Sequence, residues 1–239
     1  MNKNDLITFL VLAAGVGRRF GGELPKQYQT LAGHPVLWHT LKTLQDHPLV
    51  GQIIPIIAPA GRTLWDEIMG PEIEGMSKLS APVSGGAERQ FSVANGLASL
   101  KVGEQDWVAI HDGARPVLSH AMLERLFTAR KNCNALLAAL PANDTIKEVG
   151  PGGLVTKTLD RDAIWLAQTP QLFHYGLIMK AHQLAVKAGF MGTDDASLLE
   201  WLGEPVHTVL GESSNIKITN QSDMPLAAWL LAEKNRGAK

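Results

Sequence analysis

One cysteine, Cys133, stands in 239 residues. An internal disulfide framework and a multi-cysteine zinc site are therefore excluded. The usage fits a reducing compartment, most simply the cytosol. Charge of one sign is not in excess either: the formal net charge is −1. A nucleic-acid binder working through a broad basic face is not what this composition encodes. Long hydrophobic runs are missing as well. The run Leu6–Ala14 follows Lys3 and ends in small residues, as a weak signal-peptide core does. It is too short to span a bilayer and reads better as a buried strand running into a glycine turn. No repeat of 20 to 50 residues and no Ser/Gly or charged linker divides the chain. The eight histidines show no H-x-x-x-H spacing. What is present is 45% hydrophobic residues against 19% charged, enough apolar matter for a core and against wholesale disorder. Residues 1–239 are expected to form one domain.

Short apolar runs alternate with helical patterns. Leu6–Leu12, Gln52–Ala58, Trp107–His111 and Ala135–Leu140 read as strands buried on both faces. Pro35–Gln45, Arg89–Leu100 and Ala121–Lys131 carry apolar positions at helical period, with Pro35 suited to a first turn. Such alternation predicts an α/β fold: a mostly parallel, doubly wound, Rossmann-like sheet with helices on both faces. Residues 141–169 break the rhythm. Thr145–Val149 and Leu154–Leu159 flank Gly150-Pro151-Gly152-Gly153, a hairpin signature. Inserted in a parallel domain, the hairpin must project, as a candidate dimerisation arm. Helices are expected again at Tyr175–Ala188, Asp194–Leu202 and Ser222–Lys234, the last capped by Ser222. The six tryptophans (Trp38, Trp65, Trp107, Trp165, Trp201 and Trp229) are expected in the core or an interface.

Three constellations carry chemistry. The first strand runs into Ala13-Ala14-Gly15-Val16-Gly17-Arg18-Arg19-Phe20, followed by Leu24-Pro25-Lys26-Gln27. Glycines there let backbone N–H groups approach a phosphate closely. Phe20 stands where the dinucleotide fingerprint needs its third glycine, and the Walker pattern is absent. Arg18, Arg19 and Lys26 near such a turn suit a polyphosphate whose charge grows in a transition state. A solvated charged loop is the plainer reading. Next, Gly85-Gly86-Ala87-Glu88-Arg89-Gln90-Phe91-Ser92 is either a capped helix start or a shelf for a base and phosphate, with Arg89 and Ser92 on one helical face. Finally, His111-Asp112-Gly113-Ala114-Arg115-Pro116 follows a buried strand. Asp112 there is either a turn residue or a ligand for Mg²⁺ at a triphosphate site.

Taken together, A-A-G-x-G-x-R, P-K-Q, G-G-x-x-R-x-x-S and H-D-x-A-R-P resemble the 2-C-methyl-D-erythritol 4-phosphate cytidylyltransferases, within the GT-A-like nucleotidyltransferases. The likeness continues in order through Asp144-Thr145, Asp160-Arg161, Gln168-Thr169-Pro170-Gln171, Thr193-Asp194-Asp195-Ala196-Ser197 and Asn215-Ile216-Lys217-Ile218-Thr219. The resemblance implies CTP and methylerythritol phosphate as substrates, a divalent cation (Mg²⁺) and a homodimer of the cytoplasm, with no membrane or nucleic-acid partner. It implies Arg19, Lys26, Arg161 and Lys217 as catalytic residues. The backbone at Ala13, Ala14, Gly15 and Gly17 would wrap the nucleotide, with Lys26, Gly86, Arg89, Ser92, Asp112 and Ala114. Asp112 would hold the metal. Thr145, Arg115, Arg161, Thr169, Thr193 and Lys217 would face the sugar phosphate, Thr145 and Arg161 reaching from the arm to the neighbouring subunit. Ala87 stands where some relatives carry an acid, and Gly113 replaces a small residue.

The chemistry implied is demanding in charge rather than in proton transfer. Two unit charges at 4 Å repel by about 4 kcal/mol at an effective dielectric of 20. A phosphate monoester is already ionised near neutrality, so alignment and charge stabilisation carry the rate. Three rival readings compete: a ribitol 5-phosphate cytidylyltransferase, a dinucleotide-dependent dehydrogenase, and a non-catalytic nucleotide-binding module.

Overall fold

The computed structural model describes residues 6–15, 17, 20–21 and 24–237. Its first strand, β1 (Ile7–Ala13), shows how the sequence builds the fold. Ile7, Phe9 and Val11 enter one apolar cluster, while Leu10 enters a second on the opposite face. That is the period-two alternation of a strand covered on both sides.

A short antiparallel ribbon follows, β2 (Thr30–Leu31) with β3 (His34–Pro35), and leads into α1 (Val36–Asp46). Pro35 was expected inside the first helical turn. It caps the helix instead, in extended conformation, with φ −58° and ψ 144°. Next come β4 (Val50–Ile57), α2 (Arg62–Ile68), β5 (Val83–Ser84), α3 (Arg89–Ala98) and β6 (Trp107–Asp112). The chain continues through α4 (His120–Ala129), β7 (Ala135–Pro141), the hairpin β8 (Lys147–Val149) and β9 (Val155–Thr158), and β10 (Trp165–His174). It ends with α5 (Tyr175–Ala188), α6 (Ala196–Trp201), β11 (His207–Leu210) and α7 (Asp223–Gly237). α6 is shorter than expected at both ends. α7 begins just after Ser222, with the Asp223 carboxylate accepting from the backbone N–H groups of Thr219 and Asn220.

Seven strands form one sheet in the order β11-β7-β10-β6-β1-β4-β5. β4, β1 and β6 run parallel, as do β5 with β4 and β11 with β7. Only β10 is antiparallel, inserted between β6 and β7. The mostly parallel α/β architecture is as expected; the wedge strand is not. α1, α2 and α4 cover one face and α3, α5 and α6 the other. α7 adds a third, smaller cluster with Val36, Val117 and Ile218. β8 and β9 pair only with each other and are exposed along their length, leaving Val149, Leu154 and Val155 in solvent.

The tryptophans divide. Trp65 and Trp107 are buried, and Trp38 stacks on His34. Trp165, Trp201 and Trp229 are exposed on the single chain, so they are not core residues and only the interface half of the expectation applies to them. Trp165 stands at the foot of the hairpin, and Trp201 stacks on Phe190 at the rim of the second cluster.

Phe173 of β10 is fully buried in the second cluster. Replacing Phe173 with Ala removes its ring from a packed site and should cost about 3–5 kcal/mol. Urea unfolding checks this; a loss below about 1 kcal/mol would mean that β10 is not an integral strand.

Candidate active site

β1, β5 and β6 all end at one edge of the sheet, and the three glycine-bearing motifs leave from those ends. This carboxyl edge is where doubly wound sheets bind ligands. The turns pack tightly. A Cβ on Gly85 would lie 2.8 Å from the Ala14 Cβ and 3.1 Å from the Ile57 carbonyl oxygen, so only glycine fits. That contact sets the second motif against the first. Gly17 takes φ +66°, and its α-carbon faces the Lys26 side chain. Gln27, buried, donates from Nε2 to the carbonyls of Ala13 (2.7 Å) and Gly15 (3.1 Å), pinning the first turn. Arg18 and Arg19 lie outside the described residues.

The third motif joins through backbone bonds. The Gly113 N–H donates to Leu12 and the Ile218 N–H to Ala114. Lys26 Nζ donates to the Ile218 carbonyl at 2.7 Å. The two lysines of the expected site, Lys26 and Lys217, are thus brought to the same segment from chain ends nearly two hundred residues apart.

At the centre is Asp112. Lys217 Nζ sits 2.7 Å from Oδ2, Arg89 Nε 3.7 Å from Oδ1 and Arg115 Nε 3.9 Å from Oδ2. Burial alone would raise the carboxyl's pKa. Lys217, Arg89 and Arg115 overrule it and hold Asp112 far below the usual carboxylate range. Arg89 is held charged in the same way: burial opposes its charge, and Asp195 and Asp112 outweigh it. Its Nη2 lies 2.7 Å from Asp195 Oδ2, and Asp195 Oδ1 lies 3.3 Å from His182 Nε2.

Several expected ligand-facing side chains have turned inward. The Thr169 hydroxyl accepts from the Asp112 N–H (3.0 Å) and meets His111 Nδ1 (3.0 Å), all buried. Arg115 donates from Nη1 to the Asn215 carbonyl at 2.6 Å. Ser92 Oγ accepts from the Gly86 N–H and donates to the Glu88 carbonyl. Direct substrate contact was expected of Thr169 and Arg115, and nucleotide contact of Ser92; the structure places all three in the internal hydrogen bonds just described. They brace the site. Thr193 is exposed beside α6. Thr145 and Arg161 are exposed on the hairpin segment, Arg161 donating to the Asn143 carbonyl at 3.1 Å. Among the described residues no hydrogen bond or ion pair joins either of them to the Asp112 cluster.

Spacing did not reveal Gln27, Asp195, His182 or Asn215 as site residues. Asn215 donates from Nδ2 to the Thr169 carbonyl at 2.9 Å, closing the ring of motifs. Gln27, Asp195 and Asn215 lay inside motifs already noticed, so those motifs held a signal; His182 lay in none.

A metal could be held by Asp112. No cluster of three or more His, Cys, Asp or Glu with ligand geometry occurs among the described residues. Mg²⁺ in nucleotide sites takes one or two carboxylates plus phosphate oxygens, so the ionised Asp112 fits the ion as one ligand, with the nucleotide's phosphates as the others and Lys217, now 2.7 Å from Oδ2, displaced from that oxygen.

The model of the family described as "IspD: 2-C-methyl-D-erythritol 4-phosphate cytidylyltransferase" matches residues 7–233. The chain belongs to this family. A 2-C-methyl-D-erythritol 4-phosphate cytidylyltransferase of Geotalea uraniireducens is 46% identical over 96% of this chain and 98% of its own length. A bifunctional IspD/IspF enzyme of Rhodospirillum rubrum is 45% identical over 94% of this chain, which spans 56% of that protein. Among solved structures, the Francisella tularensis 2-C-methyl-D-erythritol 4-phosphate cytidylyltransferase superposes with TM-score 0.80 at 34% identity, over 94% of this chain and 99% of its own. The 4-diphosphocytidyl-2C-methyl-D-erythritol synthase of Anaerococcus prevotii gives 0.82 at 30%, over 96% and 100%. The family's sheet is thus this sheet. No helix among the described residues is long and apolar enough to cross a membrane.

Burial drives the His111 pKa down to about 4, below its ordinary value near 6.5. Between those values the unfolded chain binds a proton that the folded chain refuses. Stability is therefore present above about pH 6.5 and lost as pH falls towards 4. His111→Asn should flatten part of that loss. Thermal unfolding at pH 7.5 and 4.5 measures it; an acid sensitivity equal to wild type would refute the assignment to His111.

Proposed function

We infer that this chain transfers the cytidylyl group of CTP to 2-C-methyl-D-erythritol 4-phosphate, yielding 4-diphosphocytidyl-2-C-methyl-D-erythritol and pyrophosphate for non-mevalonate isoprenoid synthesis. The observation that carries the reading is the convergence of Arg89, Arg115 and Lys217 on Asp112, with Lys26 held to the adjoining Ile218 carbonyl beside a glycine turn. A cluster of cations there serves anions that must meet.

A phosphate oxygen of the sugar phosphate attacks the α-phosphorus of CTP. The new P–O bond forms as the bond to the pyrophosphate oxygen breaks, and the attacking dianion needs no base. The backbone of Ala13, Ala14, Gly15 and Gly17 wraps the triphosphate. Arg19 and Lys26 bind the α-phosphate as its charge spreads in the transition state. Gly86 and Arg89 hold cytosine and ribose, with Ser92 bracing the turn and Ala114 fixing the floor. Asp112 would hold Mg²⁺, and the ion, when bound, would neutralise phosphate charge and fix its orientation. Lys217 then holds the sugar phosphate.

The residues 141–169 form a dimer arm in this reading, within one domain spanning 1–239. Thr145 and Arg161 reach the partner's sugar phosphate, and Thr193 lines the same pocket. The protein works as a homodimer in the cytoplasm.

Pyrophosphate release with Mg²⁺ tests the assignment. Release is expected with CTP and methylerythritol 4-phosphate. Release only with ribitol 5-phosphate would keep the mechanism and change the pathway; release with neither would leave a nucleotide-binding module. Lys26→Ala should lower kcat by about a hundredfold or more while CTP affinity stays within about tenfold. Equal mixing of Lys26→Ala and Arg161→Ala subunits should restore roughly a quarter of wild-type activity, because one site in each mixed dimer is whole. No recovery would sink the cross-subunit role.

A further inference from the structure

Two acids stand side by side in Thr193-Asp194-Asp195-Ala196-Ser197, and the structure gives them different work. Asp194 serves the helix start: its Oδ1 accepts from the Ser197 N–H at 2.9 Å, and its Oδ2 accepts from Gln171 Nε2 at 2.7 Å. Gln171 Oε1 in turn accepts from the Ala196 N–H. The first turn of α6 is thereby satisfied without the Asp195 side chain, which makes no cap. Asp195 points into the protein, 1% exposed, between Arg89 of α3 and His182 of α5.

A buried carboxylate carries a large desolvation cost unless it is paired. Here the pair is Arg89, the residue that also faces Asp112 at 3.7 Å. The guanidinium therefore stands between two carboxylates, close to the fixed one and farther from the one at the sheet's edge. Without Asp195, the nearest anion for Arg89 is Asp112. The two would close up, and the charge of Arg89 would be spent on the carboxylate that the nucleotide and its cation require.

We propose that Asp195, anchored by His182, is a positioning residue that holds Arg89 away from Asp112 so that both remain available to CTP. The inference rests on the nucleotide role given above to Arg89. It gives the second acid of this motif a purpose distinct from helix capping. Asp195 itself touches no substrate and acts through Arg89.

The test is a double-mutant cycle on the full-length protein, with CTP dissociation constants, KM values for both substrates and Tm recorded for wild type, Arg89→Gln, Asp195→Asn and the double variant. Asp195→Asn is expected to weaken CTP binding about tenfold or more and leave KM for methylerythritol 4-phosphate within twofold. The double variant is expected to match Arg89→Gln within twofold, because the second change has nothing left to act through. If Asp195→Asn binds CTP as wild type does, or if it weakens the Arg89→Gln background by the factor it costs alone, the proposal is overturned. Should Asp195→Asn not fold, the comparison of the double variant with Arg89→Gln still decides, since removing both partners leaves no unpaired charge. An Arg89→Gln protein that binds CTP like wild type would instead overturn the role given to Arg89.

Discussion

A single carboxylate that cannot stand alone organises this molecule. Asp112 is nearly enclosed at the end of a strand buried along its whole length. An ionised group in such surroundings demands cations, and three arrive from three different stretches of chain: Arg89, Arg115 and Lys217. Removing one partner from a buried set of this kind typically costs about 3–5 kcal/mol. The residues that pair with Asp112 therefore also close the fold over its carboxyl edge. The proposed site and the architecture share one electrostatic constraint.

Around that charge lies a shell of groups whose function is geometric. Gln27 fixes the glycine turn, Thr169 receives the Asp112 N–H, Asn215 holds the Thr169 carbonyl, and Arg115 holds Asn215. Each satisfies a buried polar atom, so each is worth more than a surface hydrogen bond. A charge-stabilising enzyme gains from such rigidity, because dipoles already in position need no reorganisation as the transition state forms.

The sequence announced much of this and hid a definite part. β1, β4, β6 and β7 were legible because burial on both faces leaves short uninterrupted apolar runs. The motifs were legible because they follow one another along the chain in the order of one family. β10 was not. Its middle, Gln168-Thr169-Pro170-Gln171, is polar and turn-like, and its burial comes from partners across the sheet. The link from Arg89 to Asp195 was equally silent, since nothing local to either residue announces a partner in another helix. Thr169, Arg115 and Ser92 illustrate the same limit: a motif marks a position as belonging to the site without saying which way its side chain turns.

β10 has one more property. It starts in solvent at Trp165, beneath the exposed hairpin, and ends at His174 beside Trp107. Between Ala167 and Gln171 its pairing with β7 slips, and Thr169, the residue that receives the Asp112 N–H, sits in that irregularity. Bulges of this kind re-aim side chains beside active sites. The strand is thus a strut with one end outside the molecule and its waist against Asp112. A load applied to the hairpin enters this strut through the single short helical turn Arg161–Ala163 that joins the two.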